Sequence, residues 1–165
     1  MPKRADLSNT LCPVGRSAEL VGDRAILLIL RDLFFGVHRF EAFQANTGLG
    51  PQLLSARLKR MEEEGVVERR TYQHRPLRFE YWLTEKGKAL FDILYAMRNW
   101  SEKWAYAPGE IGDGGPAIRY IHRSCGADVG LSTLCPNCGE ALGYGSLKGS
   151  MSPALEAERA ARSAG

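Results

Sequence analysis

Three observations on this 165-residue chain predict an α+β, mostly helical fold. Between residues 33 and 84, two helical patterns joined by a glycine-rich turn precede two β-rich arms, which is the order of a winged helix-turn-helix domain. The twenty residues after Thr84 carry an apolar stripe wide enough for a dimerisation helix. Beyond Pro108, His-x-x-Cys and Cys-x-x-Cys pairs predict a small C-terminal zinc ribbon.

In chain order, residues 1–10 have no clear period and are expected to form a flexible arm. Residues 13–21 read as a first helix with proline at its start. Asp23 is placed to cap a second helix running to about Phe35, so apolar on nearly every side that it should be buried all round. Gly36 closes it, and an apolar-periodic segment from Val37 to Phe43 opens the next helix. After Gly48-Leu49-Gly50, Pro51 starts a helix with Leu54, Leu58 and Met61 on one face; Gly65 stops it. Residues 66–72 and 78–84 read as the arms of a hairpin. The second arm places Phe79, Tyr81 and Leu83 inward and Glu80 and Trp82 on the other side. The hairpin tip is Gln73-His74-Arg75-Pro76-Leu77.

The face of the Pro51 helix opposite its apolar stripe carries Gln52, Ser55, Ala56 and Lys59. These are small or hydrogen-bonding side chains suited to a DNA major groove. Net charge is only +3, but residues 51–78 hold seven Lys and Arg against four Glu, so the surplus sits on this helix and the hairpin. Phosphate contact predicts such a surplus, although a solvated charged face would show one too. Glu62-Glu63-Glu64 at the helix end reads as a solvated face, not a catalytic carboxylate pair.

Thr84 is placed to cap one long helix to about Trp104. Leu90, Leu94 and Met97 lie on one line, Ile93, Trp100 and Trp104 lie beside it, and Phe91 and Tyr95 widen the surface. One small domain can hardly cover that stripe, so it reads as a homodimer seam with help from the first helix; the alternative is that it seals the domain's own core. These boundaries give a domain at 11–106, a glycine-rich linker at 107–116, a ribbon at 117–145, and a tail at 146–165 expected to be disordered, with a frayed helix from Ser152 as the alternative.

In the ribbon, His122 and Cys125 precede Cys135 and Cys138, with nine residues between the two pairs. The x-x spacing lets two side chains reach one ion, and Gly126 and Gly139 let backbone amides turn toward the sulfurs. One imidazole and three thiolates make a closed set for structural zinc, with no position left for catalytic water. Some thirty residues with few large apolar side chains also need a metal to fold. The alternatives are a redox-active Cys135/Cys138 pair, or cysteines without a shared role and His122 as a bystander. A nucleobase deaminase is excluded: Ser124 stands where its glutamate should be, and Leu134 where the proline before its Cys-x-x-Cys should be.

No apolar run approaches a bilayer span; the longest, 25–30, is bounded by Arg24 and Arg31. Without a secretory pattern after Met1-Pro2-Lys3-Arg4, a cytoplasmic location is expected, where paired cysteines more often hold metal or sense oxidants than form disulfides. Cys12 stands apart. It precedes a helix with Arg16 one turn on, a setting that favours a thiolate and a redox sensor; alternatively it is a small buried apolar residue. His38 and His74 are isolated, with His74 at the hairpin tip.

Cys12-Pro13-Val14-Gly15-Arg16, Gly22-Asp23-Arg24, Leu27 to Leu33, Arg39-Phe40, Leu54-Ser55-Ala56-Arg57-Leu58, Gly65 to Arg69 and Tyr81 to Gly87 together resemble the HxlR family of bacterial winged-helix transcription regulators, over residues 11–104. The resemblance implies a non-enzymatic homodimer that binds double-stranded DNA at an inverted-repeat operator. Its candidate contacts are Arg39, Pro51, Gln52, Ser55, Ala56, Lys59 and Arg75. Some relatives sense oxidants or electrophiles at the position of Cys12. Ala25 stands where the family usually has tryptophan, leaving room for a small-molecule effector. Gly50 stands where it often has serine, weakening that cap by only a few tenths of a kcal/mol. Two alternatives remain: a redox- or metal-responsive sensor using Cys12 or the zinc site, and a protein-interaction module on a winged-helix scaffold.

Overall fold

The computed structural model describes residues 10–105 and 115–163. The expected arm at 1–10 and linker at 107–116 lie outside these, apart from Thr10, Gly115 and Pro116. The chain divides into two compact units between Trp82 and Leu83, not near residue 106.

The first unit begins with helix α1 (Pro13–Val21), capped by Cys12, whose Sγ accepts the Gly15 N–H at 3.4 Å. Gly22 follows; a Cβ there would fall 2.4 Å from the Ala18 carbonyl oxygen, so the turn into the next helix requires glycine. In α2 (Arg24–Phe34), Asp23 Oδ1 accepts the N–H groups of Ala25 and Ile26 at 2.9 and 3.3 Å, as the sequence predicts for its cap. Burial of α2 is one-sided: Ile26, Ile29, Leu30 and Leu33 are buried, but Leu27 and Leu28 are only half-buried. Helices α3 (Phe40–Thr47) and α4 (Pro51–Glu63) form the helix-turn-helix, with Phe43 from one and Leu54, Leu58 and Met61 from the other closing the core. Gly50 caps α4 without a side-chain bond.

The hairpin consists of β1 (Val67–His74) and β2 (Leu77–Leu83). Its arms reach further toward the tip than predicted and each stops one residue short at the base, leaving Arg75 and Pro76 as the connection. The expected in-and-out alternation of β2 is blurred, because both its faces are half covered. Tyr81 packs edge-on against Phe43, while Trp82 stacks on His38 with ring centroids 3.8 Å apart. His38 Nδ1 also lies 2.9 Å from the Tyr81 carbonyl, so His38 is not isolated.

In the second unit, the single helix expected after Thr84 is two: α5 (Glu85–Lys88) and α6 (Phe91–Trp104). Thr84 caps the first as predicted, but the Leu90 N–H turns to the nearer Gly87 carbonyl, tightening the chain at Ala89–Leu90. Strand β3 (Ile118–His122) pairs antiparallel with β4 (Leu147–Met151), from Ile118 opposite Met151 to His122 opposite Leu147. Helix α7 (Pro153–Ser163) follows. The expected disorder of 146–165 is thus corrected: 147–151 complete the ribbon's sheet, which therefore does not end at 145, and Ser152 donates its N–H to Ala117 O at 2.8 Å. Unbroken ladder bonds stabilise a tail whose composition alone promises little burial. Among the described residues, no helix is long and apolar enough to cross a membrane.

Candidate nucleic-acid interface and metal centre

Proline at N1 and the Leu54, Leu58 and Met61 stripe fix how α4 lies on the first unit. Those three side chains are at most 1% exposed. The 3.6-residue period then turns Pro51, Gln52, Ser55, Ala56 and Lys59 outward, and all five are exposed. Arg75 is exposed at the hairpin tip. Arg39, ahead of α3, is exposed but engaged: its Nε donates to Glu80 Oε1 at 3.0 Å and its guanidinium lies 4.5 Å from the centroid of Tyr72.

The basic surplus of 51–78 is less available than the charge count suggests. Arg57 pairs with Asp23 Oδ2 at 2.6 Å, tying α4 to the cap of α2, and Arg60 donates to the Glu19 carbonyl at 2.7 Å. Arg69 and Arg70 pair with Glu62 and Glu68. Arg78 is raised above its ordinary pKa, first by its hydrogen bond to Tyr72. Lys59, with a loose 3.7 Å contact to Glu63, and Arg75 are the outward cations of the helix and the tip. Arg78 also lines a shallow cleft of about 220 Å³ with Phe40, Glu41, Tyr72, Phe79 and Tyr81. Ala25, the position suggested to leave room for an effector, is buried in α2.

The second unit brings His122, Cys125, Cys135 and Cys138 together, all four donor atoms lying within 4.8 Å of one another. His122 comes from the end of β3 and is buried, so the bystander reading is overturned. The two knuckles have the same local form. Gly126 donates its N–H to His122 O at 2.8 Å, Gly139 to Cys135 O at 2.9 Å, and the two glycines sit at φ of 72° and 74°, which a residue with a side chain rarely adopts. The following amides, of Ala127 and Glu140, bond to Cys125 and Cys138. The Ala127 amide, helped by His122, holds the Cys125 thiol down to about 6. At Cys138 the Glu140 amide acts the same way, but burial and the neighbouring Cys135 and Cys125 outweigh it and push the thiol up to about 11.

The donor set fits a tetrahedral metal ion. Metal–sulfur bonds of about 2.3 Å and metal–nitrogen bonds of about 2.0 Å imply donor–donor edges of roughly 3.5–3.8 Å. Cys125 and Cys135 Sγ are 3.4 Å apart, and His122 Nδ1 lies 3.3 Å from both Cys125 Sγ and Cys138 Sγ. These cysteines are free thiols. Cys12 is also free and is exposed, so it is not a buried apolar residue.

A contact the sequence did not reveal joins α6 to the ribbon. The Tyr95 hydroxyl donates to Ser132 O at 2.7 Å, Arg98 Nη1 to Gly130 O at 2.6 Å, and Asn99 Nδ2 to Leu131 O at 3.1 Å. All three carbonyls lie in the loop between the two knuckles. Arg98 also donates to Ile118 O, while Glu102 accepts the N–H groups of Ala117 and Ile118 at 3.1 and 3.0 Å. Phe91 and Tyr95 pack on Tyr120. The ribbon therefore covers half of the α6 stripe; Ile93, Met97, Trp100 and Trp104 remain exposed, the tryptophans at 64% and 65%. Only the i, i+3, i+4 period was a sequence signal for these faces, and it could not say which cover each would meet.

Known proteins similar to this chain are transcriptional regulators of the helix-turn-helix type. The sequence is 40% identical over 129 residues to Rv3095, an HTH-type transcriptional regulator of Mycobacterium tuberculosis, covering 78% of each chain. It is 35% identical over 106 residues to the HTH-type transcriptional regulator YodB of Bacillus subtilis, covering 63% of this chain and 94% of that one. The crystal structure of PA1607 superposes with a TM-score of 0.66 at 34% identity, over 87% of this chain and 96% of that one. The oxidised form of the redox regulator HypR matches 56% of this chain and 96% of its own, at TM-score 0.52 and 29% identity. With residues 20–108 matching the pattern of HxlR-like helix-turn-helix proteins, the chain belongs to that family of DNA-binding transcriptional regulators.

Proposed function

We propose that the protein is a sequence-specific, non-enzymatic regulator that binds an inverted-repeat operator as a homodimer in the cytoplasm, with α4 in the major groove and Arg75 at a phosphate. The observation that carries this reading is the division of α4 into a buried face of Leu54, Leu58 and Met61 and an outward face of Pro51, Gln52, Ser55, Ala56 and Lys59. The exposed line Ile93, Met97, Trp100 and Trp104 on α6 supplies an apolar surface for the second copy. On this reading Arg39, held against Glu80 and Tyr72, orients the hairpin and contacts the DNA backbone from its exposed side.

Footprinting and salt titrations on an operator selected from random DNA test the docking. Lys59→Ala and Arg75→Ala should weaken binding to all sequences and each lower the salt slope by about 1, while Gln52→Ala should relax preference at particular base pairs by about 1–3 kcal/mol. An unchanged footprint and affinity in both Gln52→Ala and Arg75→Ala would show the docking to be wrong.

A metal-responsive form of the same reading is favoured by the grip of Tyr95, Arg98 and Asn99 on the loop between the knuckles. Zinc held by His122, Cys125, Cys135 and Cys138 would shape that loop, and the loop in turn holds α6. Operator affinity and sedimentation with and without chelator test it; identical values would limit the zinc to a structural role. Cys12, exposed at its helix cap, is the separate candidate for oxidant sensing, tested by Cys12→Ser under peroxide.

A further inference from the structure

The two nitrogens of His122 face different partners. Nδ1 points at the sulfurs, 3.3 Å from Cys125 and 3.3 Å from Cys138. Nε2, across the ring, lies 3.3 Å from Glu140 Oε2. Glu140 is tied to the second knuckle through its main chain, its carbonyl accepting the Cys135 N–H at 2.8 Å and its amide bonding to Cys138 Sγ. Its carboxylate reaches back across the centre to the first knuckle. Ser124 Oγ donates to the same Oε2 at 3.0 Å, and lies 3.2 and 3.4 Å from the two ring nitrogens of His122. Cys138 Sγ is 3.6 Å from that carboxylate oxygen.

A neutral imidazole that gives its Nδ1 lone pair to a cation must carry its proton on Nε2. We propose that Glu140 is a positioning residue of the metal centre: it accepts the Nε2–H of His122 and holds the ring in the tautomer that presents Nδ1 to a zinc-type divalent cation. This rests on the metal reading of the four donors. Its physical basis is that a carboxylate behind a ligating imidazole fixes the ring's orientation and raises its basicity as a donor. The short reach from Cα to Nδ1 suits a histidine at the first position of a knuckle, where Cys135 occupies the equivalent place in the second.

The test uses the full chain loaded with zinc, comparing wild type, Glu140→Ala and Glu140→Gln. The Glu140 side chain is 62% exposed and its structural bonds are made by the main chain, so both variants should fold. Competition against a chromophoric chelator should show zinc affinity reduced about 10- to 100-fold in Glu140→Ala, and less in Glu140→Gln, which keeps an acceptor oxygen, with stoichiometry at saturation unchanged. Long-range ¹H–¹⁵N spectra should report Nε2 protonated and Nδ1 ligated in the wild type, with faster exchange of that Nε2 proton in Glu140→Ala. Ligation through Nε2, or an affinity and exchange rate unaffected by Glu140→Ala, would overturn the role of Glu140 and leave the metal site standing. A wild-type chain that binds no zinc would overturn both.

Discussion

The unit ending at Trp82 closes over a mainly apolar core that also takes in Asp32 and Thr47, whereas the unit beginning at Leu83 is held by polar groups set into a thin apolar layer. In the first, Ile26, Ile29, Phe43, Leu54, Leu58 and Val66 are at most 1% exposed, and the fully buried Asp32 pairs with Arg31 at 2.9 Å. In the second, the buried apolar residues include Phe91, Tyr95, Tyr120, Val129 and Leu147, and the buried polar ones are Arg98, His122 and Arg159. A core of the first kind is stabilised by area removed from water and needs no ligand. One of the second kind depends on each buried donor and acceptor finding its partner. The same chain thus carries one unit that stands on burial and one expected to depend on a bound metal.

Removing the metal should separate the two most sharply. Apparent binding free energies of structural zinc are on the order of 10–16 kcal/mol. Chelation, or Cys135→Ala, should therefore strip amide-exchange protection from β3 and β4 while α2 and α4 keep theirs. Protection of β3 and β4 that survives chelation would erase the contrast. Phe43→Ala should act in the opposite sense, costing about 3–5 kcal/mol in the first unit as a lowered urea midpoint, with zinc stoichiometry unchanged. The smallest effect is expected from Arg98→Met, which fills much the same space but leaves the Gly130 and Ile118 carbonyls without their donor. It should cost about 1–3 kcal/mol, read as faster exchange across residues 118–132, with no change in the first unit.

The helices of the first unit and both knuckles were legible because their signals are local. Proline at the first turn of α1 and α4, Asp23 two and three residues before the amides it caps, and glycine after the second candidate ligand of each knuckle all act over a few residues. His38 was not legible: its partners Tyr81 and Trp82 are more than forty residues away, and one histidine among apolar neighbours gives no pattern. Nor was the pairing of Arg57 with Asp23, which takes a cation away from the outward surface that a charge count assigns to it.

Winged-helix order, the outward face of α4 and the four candidate metal donors could be read along the chain, because periodicity, capping and ligand spacing are properties of neighbours in sequence. That α6 belongs with the ribbon, that residues 147–151 complete its sheet, and that Glu140 stands behind His122 emerged from the folded chain alone. Those contacts join segments whose composition leaves their partners open, and they form where buried carbonyls, amides and rings must be satisfied in three dimensions.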